Sequence, residues 1–227
     1  FLSRLHREGR LARIDRAASV CIESFCGLLA VLDSKYLHQA ALRNFGLPDV
    51  LKRLGYRISF LLSGDHTNFY GLRAAYGDSV DEYRDGATAP GYMNDDDNVL
   101  AWLAELQPDH GEDAQPQFLF MHLMSVHTLG LRHAPYRKWE PSEVGFRTLS
   151  TRDLIPAYAN NYHNGVLQAD AVIERIFRLL REKKLLNDAI VVITADHGEL
   201  LGEYGRVGHS RFTPVGPQVG LPLLIYD

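Results

Sequence analysis

Ile190-Val191-Val192-Ile193-Thr194-Ala195-Asp196-His197-Gly198-Glu199 decides how this chain is read. Four consecutive β-branched residues predict a buried strand, and the strand ends on an acid and a histidine. Open α/β sheets gather their ligands at the carboxyl ends of strands, so Asp196 and His197 stand where chemistry is expected. Aspartate supplies a hard anionic oxygen and histidine a borderline nitrogen, a pair that divalent ions accept. Gly198 offers a sharp backbone turn that lets neighbouring side chains converge. His209 follows twelve residues after His197, beyond a glycine-rich loop, as a third member of the set. The plainer reading of a lone Asp-His pair is a strand with a capping acid and an incidental histidine.

Working outward from that strand, apolar residues at 166, 169, 173, 176 and 180 form one stripe, which predicts a helix packed on the sheet beside it. Residues 221–226 predict a last strand. Upstream, residues 56–62 and 116–124 read as strands, 47–54 and 99–106 as helices, and 11–14 as a short extended segment. Residues 1–9 look like the final turns of a helix capped by Gly9. The order predicts an α/β fold, a three-layer α/β/α sandwich with a largely parallel central sheet, as one domain over residues 1–227. A chain that opens inside a helix reads as a fragment.

With 227 residues, 46% of them hydrophobic, the chain is long enough to bury a core. A net charge of -4, with no basic tract, gives no footprint for nucleic acid. The apolar runs are strand length, far short of the roughly 20 residues that cross a bilayer. Membrane attachment is therefore expected only through segments outside this chain.

Other stretches carry candidate chemistry. Residues 17–32 read as a loop entering a buried helix whose first turn is rich in nucleophile-capable side chains, Ser19 and Cys21 foremost. A helix N-terminus stabilises anions and lowers a thiol's pKa. The alternatives are an N-cap for Ser19 and a small core residue for Cys21. Cys21 and Cys26, taken as one helix, lie about 140° apart around its axis and are expected not to pair. The loop after residues 56–62 offers Asp65 to accept from a hydroxyl, Tyr70 to stack and Arg73 to hold an anion, against a plain capped helix start. The three acids Asp95, Asp96 and Asp97 read as the cap and first turn of a helix rather than a cation site. His122 reads as a core histidine within its strand, and His127 lies just past the strand's tip. The irregular stretch 132–155 suggests a rim or lid.

The string Thr194-Ala195-Asp196-His197-Gly198-Glu199 with the later His209 resembles the alkaline phosphatase superfamily, its sulfatase-like branch in particular. The resemblance implies a metal-dependent hydrolase or transferase of phosphate or sulfate esters. Asp196, His197 and His209 then form the metal site, for zinc, manganese or calcium, and His127 contacts the transferred group. It also implies an acidic ligand on a first strand upstream of Phe1, so the fragment is expected to lack that strand and the C-terminal part. Sulfatases carry Cys-x-Pro-Ser-Arg before a pair of leucines; Cys21, Ser24, Leu28 and Leu29 fall in that register, while Glu23 and Phe25 replace the Pro and Arg. Conversion of Cys21 to formylglycine is therefore not expected. Lipoteichoic acid synthases use Thr with a Glu four residues on, which selects Ser19 with Glu23; a phosphoglycerol transferase register puts Ala17 at the nucleophile. The order of preference is Cys21, Ser19, then a lost nucleophile.

The segment from Asp65 to Arg73 resembles the phosphoglycerol-contacting segment of those synthases, and His66 within it has no counterpart there. Tyr162-His163-Asn164 and Asp170 echo the family with a structural role. The substrate implied is a small-molecule, glycan or lipid-linked ester, with a lean toward phosphodiesters of the phosphoglycerol type. A sulfuric ester hydrolase and a non-catalytic scaffold that kept the fold are the rivals. Relatives of the transferase type are anchored in the bacterial inner membrane and work on its periplasmic face, which implies an extracytoplasmic location.

Overall fold

The computed structural model describes residues 1–39, 45–108, 111, 114–144, 151–209 and 214–227. In chain order the elements are α1 (Leu2–Arg7), β1 (Leu11–Arg13), β2 (Ala17–Ala18), α2 (Ser24–Asp33), α3 (Leu47–Arg53), β3 (Arg57–Leu62), α4 (Leu72–Ala75), β4 (Glu82–Asp85), α5 (Asp97–Glu105), β5 (Gln117–His122), α6 (Thr151–Glu182), β6 (Val191–Thr194), β7 (Leu200–Leu201), β8 (Val207–Gly208), α7 (Gly216–Val219), β9 (Gly220–Leu221) and β10 (Leu223–Tyr226).

The layering follows from β3. Its side chains alternate between two faces, and Ile58, Phe60, Leu61 and Leu62 are all fully buried. Ile58, Phe60 and Leu62 pack against Leu28, Leu29 and Leu32 of α2 and Leu72 of α4. Leu61 turns the other way, into Val99 and Leu103 of α5 and Val172, Ile176 and Leu180 of α6. Helices thus cover both faces of one strand, which makes the three-layer α/β/α arrangement. Truncating Phe60 to Ala would cost about 3–5 kcal/mol. Strand β3 pairs in parallel with β4 and β5. The last strand, β10, runs antiparallel to both β1 and β6, so among the described residues parallel pairing is confined to β4-β3-β5.

Three expectations change. The β-branched run is only half buried: Val191 and Ile193 turn inward to the cluster around Phe177 and Tyr226, while Val192 is 56% exposed. Its period-2 geometry sends alternate residues to opposite faces, and among the described residues β6 pairs only with β10. Helix α6 begins well before the apolar stripe, at Thr151, and runs through Pro156. Its inward face is also turned from the one predicted, because Asn164 and Gln168 are fully buried while Val166 is 46% exposed. Asn164 accepts from the backbone of Lys138 and Trp139. Gln168 accepts from His133 N–H and donates to Leu131 O and Ser125 Oγ. These amides satisfy the polar backbone of an irregular segment that has no ladder of its own. The expected lid is therefore tied to α6 as far as Ser142, whose carbonyl accepts from Asn161; residues 145–150 of it lie outside the described residues.

Candidate functional site

Just past the end of β6, Asp196 and His197 fold back on each other. His197 donates Nδ1–H to its neighbour's carbonyl, Gly198 O, at 2.8 Å. That contact places the ring's lone pair on Nε2, the state in which an imidazole binds a metal. Nε2 lies 3.6 Å from Asp196 Oδ2, and the two side chains are 7% and 15% exposed. Asp196 Oδ1 accepts from His197 N–H, but Oδ2 is buried without a hydrogen-bond partner. Burial pushes this carboxyl's pKa up, yet the neighbouring imidazoles of His197 and His122 and the His197 N–H outweigh it and hold the group below its usual range. A buried anionic oxygen with no partner, facing a lone-pair nitrogen, is a donor set that fits a divalent cation.

Gly198 serves this arrangement differently from the turn expected of it. A Cβ there would sit 2.1 Å from Pro217 O, because the chain at 217–218 lies directly against it and Gly198 N–H donates to Gln218 O.

The N-terminus of α2 faces the pair. Glu23 is extended (φ -151°, ψ 153°), and Ser24 opens the helix. Ser24 Oγ lies 3.2 Å from His197 Nε2. This approach requires Gly27, where a Cβ would fall 2.5 Å from Asp196 O. Ser19 donates its hydroxyl to the same carbonyl, Asp196 O, at 2.5 Å, and accepts from Cys21 N–H. It ties the loop down and does not reach the carboxylate by that bond.

Cys21 and Cys26 form a disulfide, with Cα atoms 6.0 Å apart, against the expectation that they stay separate. Only Cys26 is helical; Cys21 lies in the loop before Ser24, so the angular argument for one continuous helix does not apply. Cys21 therefore carries no free thiol.

Histidines ring the pair. The His209 ring lies tilted against that of His197, with centroids 4.2 Å apart, and 5.5 Å from that of His127. His209 Nδ1 donates to both oxygens of Glu199 at 3.0 Å. Burial lowers its pKa, but the Glu199 carboxylate outweighs burial and raises it, so His209 retains a proton more readily than a free imidazole. His127 is the opposite case. Burial, then the charges of His209, His197 and His122, lower it to about 4, and its Nδ1 accepts from Leu129 N–H at 3.1 Å. Neutral His127 thus carries its proton on Nε2. Arg132 steadies that loop by donating to the carbonyls of His127 and Gly130. His122, at the C-terminal tip of β5, is half-buried, with Nδ1 3.0 Å from His66 Nε2 and 3.2 Å from Ser63 O.

The sulfatase family model matches residues 3–227. The chain belongs to the sulfatase family.

Among its relatives, this sulfatase-family chain is 27% identical over 198 residues to the Kdo(2)-lipid A phosphoethanolamine 7''-transferase of Salmonella typhimurium, covering 83% of this chain and 32% of that protein. It is 27% identical over 139 residues to the extracellular sulfatase SULF-1 homolog of Drosophila melanogaster, covering 56% of this chain and 12% of that protein. The chain therefore spans a third or less of these relatives. The C-terminal periplasmic domain of EcEptC from Escherichia coli, solved in complex with Zn, superposes with a TM-score of 0.75 at 17% identity, covering 99% of this chain and 64% of that one. That likeness establishes an alkaline phosphatase-like fold.

Other predicted contacts of this sulfatase-family domain are spent elsewhere. Asp65 accepts from Asn68 N–H and Nδ2 in a local turn, and it does not cap the following helix, whose N-cap is Gly71 with no side-chain cap bond. Arg73 lies over the Tyr83 ring at 4.5 Å and donates to Gly77 O. Tyr70 is 74% exposed and meets the edge of Phe25, the neighbour of Ser24. His209 stands beside Asp196 and His197 rather than among them: the Asp/Glu/His/Cys group of three with ligand atoms within 4.8 Å of one another, among the described residues, is Asp95, Asp97 and His133. Ser24 and His122 stand beside these groups without having been singled out for chemistry in the sequence. The first was noticed only as part of a motif register, and the second was hidden because a strand-end histidine looks the same in sequence whether it faces core or site.

Proposed function

We propose that this domain transfers a phosphoryl-type group from a phosphodiester through Ser24, with Asp196 and His197 holding a divalent metal. The observation that carries the reading is the Ser24 hydroxyl 3.2 Å from the lone-pair nitrogen of His197, beside a buried Asp196 oxygen that lacks a partner. When bound, a divalent ion lowers the pKa of a coordinated hydroxyl and polarises the ester oxygen. The Ser24 oxygen forms a bond to phosphorus and releases its proton to solvent, while the bond from phosphorus to the leaving alcohol breaks. His209, kept protonated by Glu199, gives its proton to the departing oxygen. Water or an acceptor alcohol then attacks the phosphoserine and returns a proton to His209, while the bond from phosphorus to Ser24 Oγ breaks and Ser24 regains its proton from solvent. His127, neutral with its proton on Nε2, donates to the oxygens of the transferred group.

Ser24 replaces Cys21 and Ser19 as the nucleophile in this reading. The disulfide withdraws Cys21 from both thiolate attack and formylglycine formation, which favours phosphate over sulfate esters. It also supports an oxidising, extracytoplasmic compartment, in line with the periplasmic origin of the EcEptC domain. No helix among the described residues is long and apolar enough to cross a membrane. A lipid- or glycan-linked ester is the substrate class suggested by the lipid A transferase.

The test is kinetic. The intact protein with zinc or manganese should cleave bis(4-nitrophenyl) phosphate faster than 4-nitrophenyl sulfate, and Ser24→Ala should lose roughly 10³-fold in kcat. Faster sulfate cleavage, with formylglycine at position 21 by intact mass, would make the domain a sulfuric ester hydrolase. Absence of turnover for both esters in every metal would favour the scaffold reading.

A further inference from the structure

His66 sits in the loop after β3, only 4% exposed, with Tyr76 equally buried beside it. Its two nitrogens are both engaged. Nδ1 lies 2.8 Å from the Tyr76 hydroxyl; Nε2 lies 3.0 Å from His122 Nδ1 and 3.2 Å from Ser63 O. His122 Nδ1 is also 3.2 Å from Ser63 O. Among the described residues His122 Nε2 makes no protein hydrogen bond, and this is the nitrogen left for the site.

The protons in this chain can be assigned. Burial lowers the His66 pKa to about 3, so the ring is neutral and has one N–H. Burial also raises the Tyr76 pKa, so its hydroxyl keeps its proton and needs an acceptor; His66 Nδ1 is the acceptor in reach. The His66 proton is then on Nε2, where Ser63 O and His122 Nδ1 accept it. His122 Nδ1 must in turn be a lone pair, because two N–H groups cannot face each other at 3.0 Å. The reverse assignment strands the Tyr76 proton in a buried position, at a cost of about 1–3 kcal/mol.

We propose that Tyr76 and His66 are positioning residues that hold His122 in the tautomer with its proton on Nε2, so that the tip of β5 presents a fixed N–H donor to the transferred anionic group. The proposal rests on the reading of the Asp196 region as a transfer site. It pairs His122 with His127, which Leu129 N–H holds in the same tautomer, as two donors that bind an anion's oxygens without competing as metal ligands.

The test separates tautomer from turnover. Long-range ¹⁵N NMR of the His122 ring in the intact protein should show the proton on Nε2. In His66→Leu, Ser63 O becomes the remaining partner of His122 Nδ1, and the proton should move to Nδ1. His66→Gln, whose amide N–H reaches the place of the His66 Nε2–H, should keep the original tautomer. Turnover of bis(4-nitrophenyl) phosphate should follow the ring: kcat falls about a hundredfold in His66→Leu with KM little changed, and His66→Gln restores most of it. Tyr76→Phe, which keeps the ring packed on Phe60, should shift the tautomer partly if His66→Leu does not fold. An unaltered His122 tautomer in the folded variants, or a moved tautomer with unchanged kcat, overturns the proposal. If Ser24→Ala is as active as the wild type while the tautomer responds as described, the transfer reading fails and the ring assignment survives.

Discussion

Two clusters in this domain combine aspartate with histidine, and their surroundings give them different work. At the β6 tip, Asp196 Oδ2 is buried without a partner and His197 turns a lone pair toward it. At the start of α5, Asp95, Asp97 and His133 bring ligand atoms closer together than the β6 cluster brings three, and they line a cleft of about 240 Å³. Yet every carboxylate there is occupied. Asp95 Oδ1 accepts from Asp97 N–H and from His133 Nε2, and Asp97 pairs with Arg175 at 2.6 Å. Asp96, between them, accepts from the backbone of Met124 and Ser125 and pins the loop after β5. Proximity of ligand types is therefore a weaker sign of a metal than an unanswered buried charge: the second cluster is already neutralised by protein groups.

The largest effect should come from the charge itself. Asp196→Asn keeps the shape and removes the anion, and it should weaken zinc binding at least 100-fold by competition with a chromophoric chelator. Asp95→Asn should leave the same titration within about threefold; a larger loss there would reverse the ranking of the two clusters. Next comes the close approach at Gly27. Gly27→Ala puts a methyl against Asp196 O, so α2 must shift; the expected cost is about 1–3 kcal/mol in denaturant unfolding and a fall in kcat of at least tenfold.

Acid sharpens the contrast between a neutral, buried histidine and an exposed one. His66 has a folded pKa of about 3 against an ordinary 6.5. Below 6.5 the unfolded chain takes up a proton that the folded one refuses, so this contribution is complete above pH 6.5 and is lost as pH falls toward about 3. The slope is about 1.4 kcal/mol per pH unit. Urea unfolding at pH 7, 6, 5 and 4 should show a loss of stability toward acid, and His66→Gln should remove the His66 share of it. His127, lowered to about 4, adds in the same direction. Smallest of all, Arg175→Met breaks a half-exposed ion pair with Asp97 and should change stability by less than about 1 kcal/mol. A larger loss would mean that this pair, too, holds the fold.

Parts of this arrangement were legible in residue order and parts were not. Strands β3, β5, β6 and β10 declare themselves by apolar and β-branched runs, and Asp196-His197 by standing at a strand end. The helix that bears Ser24 also shows in its leucines, but its first residue does not. Periodicity defines a helix's middle, where every turn repeats, and says little about its start. A misplacement of a few residues put Cys21 on the helix as the leading nucleophile; with α2 beginning at Ser24, Cys21 pairs with Cys26 and a different hydroxyl faces His197. Likewise the polar faces of Asn164 and Gln168 were invisible to a count of apolar residues, since a buried amide looks like a surface one until its partners are known.

What the sequence determined by itself is the class of the fold, the family, and the place of the Asp-His pair at a strand end, because these depend on local patterns and on residue types at one strand's end. Tertiary structure decided which side chains stand beside that pair. Whether a histidine offers a lone pair or a proton depends on what touches its other nitrogen, and for His122 that is His66, 56 positions away in the chain. The placement of Ser24 likewise depends on a glycine one turn along its helix meeting a carbonyl beyond β6. Such contacts between distant segments carry no periodicity, so only the folded chain reveals them.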